Sequence, residues 1–398
     1  MTPTPKAFST INQVVEDIAV TRFKQYLQID TEHPDPNYRS CENFLHKYAS
    51  ELGLQPWSCE LAPGKPLVGM TLLGENPSLP TLLLYSHTDV VASYKERWTY
   101  DPYSGYEDIE GNIYGRGAQD MKSIGIQYLE AIRRLQLANK NKFLRTVHVI
   151  FCPDEEISSE EGMVKFVKTN KFKELNIGYC LDEGTASPDD IYLIAYGERA
   201  SWWVKVICQG AAGHGSRFLE NNAGLKLQSI LNSFLGYREE QRKRFLNKEG
   251  GIQPNVVPAE FQAWFDIRLS PFENFDKFEE MMAGWCKNAG PDVTYEFVSK
   301  NRNTPTTPIS KEDPWWSAFT SVLDEENLKY SPEIFPGGSD SRFLRELGYK
   351  AIGFSPIINT KLRVHDNDEF LNEKVFLNGI HLYTKIIERL ANLQPFNE

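Results

Sequence analysis

The sequence predicts an α/β protein in which a mostly parallel sheet is flanked by helices and a smaller α+β domain is inserted into the chain. Three observations lead to this prediction. The chain of 398 residues is long for one hydrophobic core, so two domains are expected. Continuous apolar runs, typical of strands buried on both faces, alternate with helical patterns towards both ends of the chain. In the middle, residues 259–270 carry an apolar residue at every second position, as in a strand with one covered face.

The segment before the insertion, residues 1–194, alternates predicted strands with predicted helices. Apolar residues at helical spacing indicate a first helix from Ile11 to about Ile29, and a proline-broken loop follows it. The predicted strands are the apolar runs LVGMTLLG (67–74), TLLLYSH (81–87), TVHVIFC (146–152) and IGYCLDEG (177–184). The predicted helices span 120–139 and 163–172. This alternation favours a parallel sheet with helices on both sides.

The pattern changes at residues 195–304, which we interpret as an inserted α+β lid domain. Strands and helices are predicted there in alternation, at 201–210, 223–246, 259–270, 275–288 and 292–299, and the segment 251–257 allows a further strand. Residues 305–398 resume the helices and strands of the first segment, for example in the run YKAIGFSP. The main domain is therefore predicted in two pieces, 1–194 and 305–398, with the lid between them.

Composition and charge exclude several classes of function. The formal net charge is -11, which argues against a nucleic-acid binder, because such a protein needs a basic face to neutralise phosphates. Six scattered cysteines without a CxxC pair favour reduced thiols in a cytoplasmic protein over a disulfide framework. No apolar run approaches the roughly 20 residues that a membrane crossing needs, and the first residues lack the apolar core of a signal peptide. We therefore expect a cytoplasmic protein that acts on a small molecule.

Polar side chains follow three of the predicted strands directly. The predicted strand 81–87 ends in His87, and Asp89 follows two residues later. The carboxyl ends of parallel strands open into the ligand crevice of such sheets. Asp89 is expected to accept the second N–H of the His87 imidazole, as carboxylates do behind metal-bound histidines. Glu155 and Glu156 follow the next strand, where one could bind a metal while the other acts as general base. Each motif also has a simpler explanation alone, as a hydrogen-bonded strand end or a solvated acidic loop.

Three further candidates are a third strand end, a residue before a helix and a late histidine. Asp182 follows a third strand, Asp120 precedes a predicted helix, and His365 follows the last apolar strand. In isolation, a strand-to-loop turn, a helix N-cap and a surface histidine would explain these three residues. Together with the acidic pair and His87, however, they form a set of oxygen and nitrogen ligands without a thiolate, which suits zinc, cobalt or manganese. The carboxylates are numerous enough for two metals that share one ligand.

The order of these motifs closely resembles the M20 family of di-zinc aminopeptidases, carboxypeptidases and deacylases. The motifs are HTD, GRGAQDMKS, PDEE, LDEG and a late histidine, and the resemblance runs from about Ile18 to Ile387. Within the family, the longer segment WTYDPYSGYEDIEGNIYGRGAQDMKS is similar to the aminoacylases. The resemblance implies a zinc-peptidase-like catalytic domain in the two outer pieces and a lid that also mediates dimerisation.

The resemblance also assigns roles to individual residues. Two zinc ions per subunit would be bound, one by His87 and Asp182 and the other by Glu156 and His365, with Asp120 bridging them. Glu155 would be the general base, Asp89 would support His87, and the peptide bond after Asp120 would be cis. The resemblance thus implies the metal ligands His87, Asp120, Glu156, Asp182 and His365 and the catalytic groups Glu155 and Asp89.

The predicted lid carries a second set of candidates. His214 in GAAGHGS matches the histidine that completes the active site from the partner subunit of a homodimer, and Asn255 in QPNVVP matches a polar residue that contacts substrate. Arg268 matches the carboxylate-binding arginine, and Gly338 lies in GGSDSR, which resembles the loop at the substrate end. The alternatives are a glycine-rich turn with an incidental histidine, an exposed strand arginine paired with Asp266, and a structural turn.

The sequence thus predicts zinc-dependent hydrolysis of N-acyl-L-amino acids to a free L-amino acid and a carboxylate. Two alternatives stay open at this point: a dipeptidase or carboxypeptidase of the same family, and a relative that binds without catalysis. The acidic pair counts against the last of these, because a pure binder needs no base.

Overall fold

A computed structural model describes residues 16–140, 142–211, 221–243, 260–301 and 305–396. The chain divides into two compact units. The first contains the described residues of Met1–Ala195, Thr307–Glu333 and Ser339–Glu398, and the second those of Tyr196–Thr306 and Ile334–Gly338. The sequence places the inserted domain at 195–304 and does not anticipate that the short segment Ile334–Gly338 groups with it.

In the described part of the chain, the strands are β1 (Gln55–Ala62), β2 (Lys65–Leu72), β3 (Thr81–His87), β4 (Tyr106–Glu107), β5 (Asn112–Tyr114), β6 (Val147–Cys152), β7 (Ile177–Asp182), β8 (Tyr192–Glu198), β9 (Ala200–Gln209), β10 (Glu260–Leu269), β11 (Val293–Lys300), β12 (Tyr330–Phe335), β13 (Lys350–Phe354) and β14 (Phe370–Asn372). The helices are α1 (Ile18–Leu27), α2 (Tyr38–Glu51), α3 (Lys122–Leu137), α4 (Met163–Phe166), α5 (Asn170–Glu174), α6 (Ala223–Lys243), α7 (Phe275–Ala289), α8 (Pro314–Glu325), α9 (Ser341–Glu346) and α10 (Glu373–Ala391).

The large sheet has the strand order β1-β2-β6-β3-β7-β13-β8-β12. Its four central strands, β6, β3, β7 and β13, run parallel, whereas β1, β2 and β8 pair antiparallel with their neighbours. Both β3 and β6 are buried along their whole length, as their continuous apolar runs predict. The predicted α/β class with a mostly parallel sheet is confirmed.

Helices cover both faces of this sheet. Leu83 and Tyr85 of β3 belong to a buried cluster with Phe166, Phe172 and Leu344, which lie on the short helices α4, α5 and α9. The helix α3 packs against α10 and α1 as well as against β3. Gly125 allows α3 this close approach, because a Cβ atom there would lie 2.6 Å from the ring of Phe151. The two layers of helices exclude water from the strands, so polar groups concentrate at the strand ends.

The second unit is a small α+β structure. Its antiparallel strands have the order β10-β9-β11. One face of the sheet packs against α6 and α7, with Trp202, Val204 and Phe265 buried or partly buried against Phe234 and Phe278. The alternation of β10, whose apolar residues face this core, is confirmed.

The predicted helices differ from the observed ones where local capping decides. The segment 163–172 is predicted as one helix but contains two short ones, because the Thr169 side chain accepts a hydrogen bond from Phe172 N and starts a new helix. The helix predicted at 120–139 begins at Lys122, so Asp120 is not its N-cap. The sequence missed β1, because this edge strand is half-exposed and lacks an apolar run. The possible strand at 251–257 lies outside the described residues.

Three further predictions concern the cysteines, the helices and one peptide bond. All six cysteines are free, and five of them are buried. Among the described helices, none combines the length and apolar character that a bilayer crossing requires. The Asp120–Met121 peptide bond is cis, as the family resemblance implies.

Candidate metal centre

Three parallel strands deliver the polar side chains to one edge of the large sheet. His87 is the last residue of β3 and pairs with Cys152, the last residue of β6. Glu155 and Glu156 lie in a single helical turn shortly after β6. Glu183 follows β7, which pairs in parallel with β3 on its other side. The four side chains meet because neighbouring parallel strands end at the same level of the sheet.

Asp120 stands between two histidines. Its Oδ1 lies 3.0 Å from His87 Nε2, and its Oδ2 lies 3.4 Å from His365 Nε2. His365 Nε2 is also 3.0 Å from Glu156 Oε2. Although the His365 side chain is 55% exposed, as the surface-histidine alternative expects, its Nε2 atom faces the cluster. One carboxylate therefore presents one oxygen to each histidine, which is the arrangement of a bridging ligand.

A buried carboxylate that the sequence did not reveal holds the Asp120 loop in place. Glu369 is 1% exposed and accepts hydrogen bonds from the backbone N–H groups of Gly117, Gln119 and Asp120. Its charge is paired with Arg116, whose Nη1 lies 2.8 Å away. The sequence shows an arginine, Arg116, between two glycines, which could have suggested a buried ion pair. Nothing in the sequence connects this arginine to a glutamate 253 positions later.

Asp182, predicted as a metal ligand, is replaced in the cluster by its neighbour Glu183. Successive side chains of a strand point to opposite faces, so only one of the two can face the site. The Asp182 carboxylate accepts hydrogen bonds from Ser341 N at 2.9 Å and Ser341 Oγ at 2.7 Å. Glu183 Oε2 instead lies 3.7 Å from His87 Nε2. The assignment of Asp182 is therefore wrong by one position.

Asp89 supports the site differently from the prediction. The nearer acceptor for His87 Nδ1 is the backbone carbonyl of Asp89, at 3.0 Å, whereas its carboxylate is 3.7 Å away. That carboxylate accepts instead from the backbone N–H groups of Glu155 and Glu156, at 3.1 and 3.0 Å. It also accepts from His33 Nε2 at 2.9 Å. Sequence reasoning missed His33, because it placed this residue in a proline-broken loop without a function.

Glu155 lies beside His87 and Glu183, and one ligand atom from each of the three side chains lies within 4.8 Å of the others. The Glu155 side chain is 9% exposed, and Arg342 Nη1 lies 3.9 Å from its Oε1. Arg342 also approaches Asp340 at 4.0 Å. Asp340 is buried and accepts hydrogen bonds from the Tyr85 and Ser159 hydroxyls. Gly338, the residue predicted in this loop, is half-buried, and its neighbours in sequence rather than Gly338 itself supply the groups near Glu155.

The electrostatics show an excess of negative charge. Burial raises the pKa of Glu183 well above its usual range, and the nearby Asp120 carboxylate adds to this rise. Burial likewise raises the pKa values of Glu155 and Glu156. Hydrogen bonds to Asp120 and Glu156 raise the pKa of His365 to about 10. So many carboxylates around two histidines create a field that attracts cations.

The side chains present fit divalent metal ions. The ligand atoms form two overlapping groups, His87 with Glu155 and Glu183, and His87 with Asp120 and Glu156, and within each group the atoms lie within 4.8 Å of one another. Imidazole and carboxylate ligands without thiolate suit zinc and similar metals. A bound cation would also offset the desolvation that raises the carboxylate pKa values. A hydrolytic site further needs a base, and Glu155 is placed for that role.

The candidates of the inserted domain are only partly described. His214 and Asn255 lie outside the described residues. Arg268 lies on β10, opposite Ser201 of β9, and its Nε is 2.9 Å from Asp266 Oδ1. This ion pair is what the alternative of an exposed strand arginine expects, and a carboxylate-binding role for Arg268 stays a prediction.

Comparisons with known proteins place these features in a family. The sequence model of Peptidase family M20/M25/M40 matches residues 83–389. The chain is 45% identical to Aminoacylase-1A of Rattus norvegicus over 394 residues, which cover 95% of this chain and 96% of that protein. It is 40% identical to Aminoacylase-1 of Dictyostelium discoideum, over 96% of this chain and 100% of that protein. An M20 family metallo-carboxypeptidase of Sulfolobus solfataricus shares the fold, with a TM-score of 0.71 and 18% sequence identity. The match covers 94% of this chain and 100% of that one.

Proposed function

The chain belongs to peptidase family M20/M25/M40, and from this premise we propose that it is a metal-dependent hydrolase of N-acyl-L-amino acids. Its products are a free L-amino acid and a carboxylate. The similarity to aminoacylases covers nearly the whole of both chains, which supports this substrate class over others in the family. The observation that carries the proposal is the single carboxylate of Asp120 between two histidines, with the acidic pair beside it.

We further propose that the site holds two zinc ions. His87 and Glu183 would bind one ion, Glu156 and His365 the other, and Asp120 would contact both. The distances within the cluster and the absence of thiolate among its ligands support this assignment. When bound, zinc supplies Lewis acidity, which polarises the scissile carbonyl and makes water a stronger acid.

Glu155 moves the proton in the proposed reaction. Its carboxylate accepts a proton from the attacking water and later delivers that proton to the leaving amine. The Glu155 side chain is only 9% exposed, so a proton that it has accepted is kept away from bulk water between attack and departure. Asp89 fixes Glu155 by accepting its backbone N–H, so the base is held at the edge of the sheet.

The inserted domain contributes the predicted substrate contacts. His214 would stabilise the oxyanion from the partner subunit of a homodimer, and Asn255 and Arg268 would bind the α-carboxylate of the amino acid. Gly338 would contact the substrate through its backbone. These roles and the dimer rest on the family resemblance, and a cytoplasmic location likewise stays a prediction from the free thiols.

A substrate panel tests the proposal. The zinc-loaded protein is assayed for amine release from N-acetyl-L-methionine, from N-acetyl-D-methionine and from a dipeptide with L-methionine as its C-terminal residue. We expect turnover of the L-acetyl compound, with much weaker activity on its D enantiomer and on the dipeptide. A preference for the dipeptide would identify a dipeptidase instead, and zinc binding without turnover of any compound would contradict the proposal.

The matched control for this assay is Glu155→Gln, which keeps the shape of the side chain but removes the base. The zinc content of the variant should stay near that of the wild type, while its turnover should fall by about 10²–10⁴-fold, the usual contribution of a general base. If the variant kept its activity, the assignment of Glu155 would be refuted, since no proton acceptor would remain at this position.

A further inference from the structure

We propose that His33 is a positioning residue of the candidate metal centre, which holds the turn of Glu155 and Glu156 in place through Asp89. The proposal rests on the proposed function only for its kinetic readout. His33 lies in the loop between α1 and α2, and its side chain bonds to Asp89 rather than to Glu155 or Glu156. It acts on the site through one hydrogen bond to a buried carboxylate.

The Asp89 carboxylate links the strand end to the acidic turn. The residue is fully buried, and its Oδ1 accepts from Glu155 N at 3.1 Å while its Oδ2 accepts from Glu156 N at 3.0 Å. Because one oxygen is bonded to each of two consecutive N–H groups, any rotation of this carboxylate displaces both residues of the turn. The backbone carbonyl of Asp89 also orients His87, so the same residue supports both sides of the site.

His33 supplies the side-chain hydrogen bond that fixes this carboxylate from outside the turn. Its Nε2 donates to Asp89 Oδ2 at 2.9 Å, the same oxygen that accepts from Glu156 N. Oδ2 therefore accepts from the imidazole of the loop and from the backbone of the turn at the same time. A neutral donor in this position would retain the bond, whereas an apolar side chain would not.

The loop that carries His33 is itself anchored next to Asp89. His33 N donates to Val90 O at 3.2 Å, and Val90 N donates to Thr31 O at 3.1 Å. These two bonds pair the loop with the residue that follows Asp89. The His33 side chain is 14% exposed, so its ring has little freedom to leave the carboxylate. The imidazole is therefore a fixed donor rather than a mobile surface group.

The test compares His33→Leu, which has no donor, with His33→Gln, whose amide can reach and donate in place of the imidazole. Metal affinity is measured by competition with a chromophoric chelator, and ligand geometry by the visible spectrum of the cobalt-loaded protein. Loss of an outer partner typically costs about 10–100-fold in metal affinity or activity. We expect a loss of this size and a changed cobalt spectrum for His33→Leu, with most of the loss reversed in His33→Gln.

Kinetics and stability complete the test. With N-acetyl-L-methionine, kcat of His33→Leu should fall while KM changes little, because the substrate contacts are left intact. If His33→Leu only unfolded at a lower temperature, with wild-type affinity, spectrum and kcat, the role of His33 would be structural and the proposal overturned. If leucine prevented folding, His33→Ala would be compared with His33→Gln by the same measurements.

The outcome can be separated from that of the proposed function. Chelator competition and the cobalt spectrum need no substrate, so they report on His33 even if the wild type hydrolyses no N-acyl amino acid. Conversely, a wild type that turns over the substrate while His33→Leu binds cobalt normally would leave the function intact and remove only the positioning role.

Discussion

Neutralising the carboxylates of Asp182 and Glu183 one at a time should separate the effect of each on fold stability from its effect on metal binding. The two carboxylates are adjacent in sequence and both are buried, but only Glu183 faces His87. We therefore expect opposite effects from Asp182→Asn and Glu183→Gln, two substitutions that each replace one carboxylate oxygen with an amide NH₂ group.

The expected cost of Asp182→Asn follows from its hydrogen bonds. One oxygen accepts from Ser341 N and Ser341 Oγ, and the other accepts from Glu183 N at 2.7 Å. An amide offers only one acceptor oxygen, so at least one buried donor loses its partner, which costs about 1–3 kcal/mol in the free energy of unfolding. Metal affinity should stay close to that of the wild type, because the side chain does not face the ligands.

Glu183→Gln should behave in the opposite way. The metal-free variant should not be less stable, because burial of this carboxylate beside Asp120 is unfavourable, as the raised pKa of Glu183 shows. Its zinc affinity should fall by at least about 10–100-fold, the loss found for outer partners of metal ligands.

Urea unfolding of the chelator-treated proteins and zinc competition measure the two quantities separately. Replacement of the two residues on the same protein background gives each variant its matched control. Loss of zinc affinity in Asp182→Asn together with normal affinity in Glu183→Gln would refute the reasoning and restore the assignment made from the sequence.

Two further predictions concern stability. Removal of metal with a chelator should lower the unfolding temperature, and added zinc should restore it, since a ligand at 100 times its Kd stabilises the folded state by about 2.7 kcal/mol per site; an unchanged transition in calorimetry would argue against a metal centre. His148 is 7% exposed, and burial lowers its pKa to about 4 from the usual value of about 6.5 for histidine. The unfolded chain therefore binds a proton more readily, and up to about 3 kcal/mol of stability should be lost as the pH falls from 6.5 to 4. In metal-free protein, His148→Gln should reduce this dependence in urea unfolding; a slope equal to that of the wild type would contradict the role of His148.

Several features of the site followed from the sequence because they depend on local patterns. Short motifs at strand ends predict His87 and the acidic pair, and a motif before a helix predicts Asp120. The structure brings these residues together with His365. The end of a strand in a parallel sheet can be recognised in the sequence, because burial on both faces makes the strand a continuous apolar run that stops where the strand ends.

The choice between adjacent acids was beyond such reasoning. Asp182 and Glu183 are both acidic and both follow an apolar run, so composition cannot separate them. The alternation of side chains along the strand allows only one of the two to face the site. Ser341, which lies 159 positions away, binds the Asp182 carboxylate and so leaves Glu183 to face the site.

The amino-acid sequence specified the α/β class, the parallel strands and most of the ligand types, because hydrophobic periodicity and polar strand ends are properties of short segments. The contacts of Asp89 with His33 and of Asp120 with Glu369 arose from folding, because they join loops separated by 56 and 249 positions. Such pairings depend on how the layers pack, and packing brings together residues whose spacing along the chain carries no regular signal.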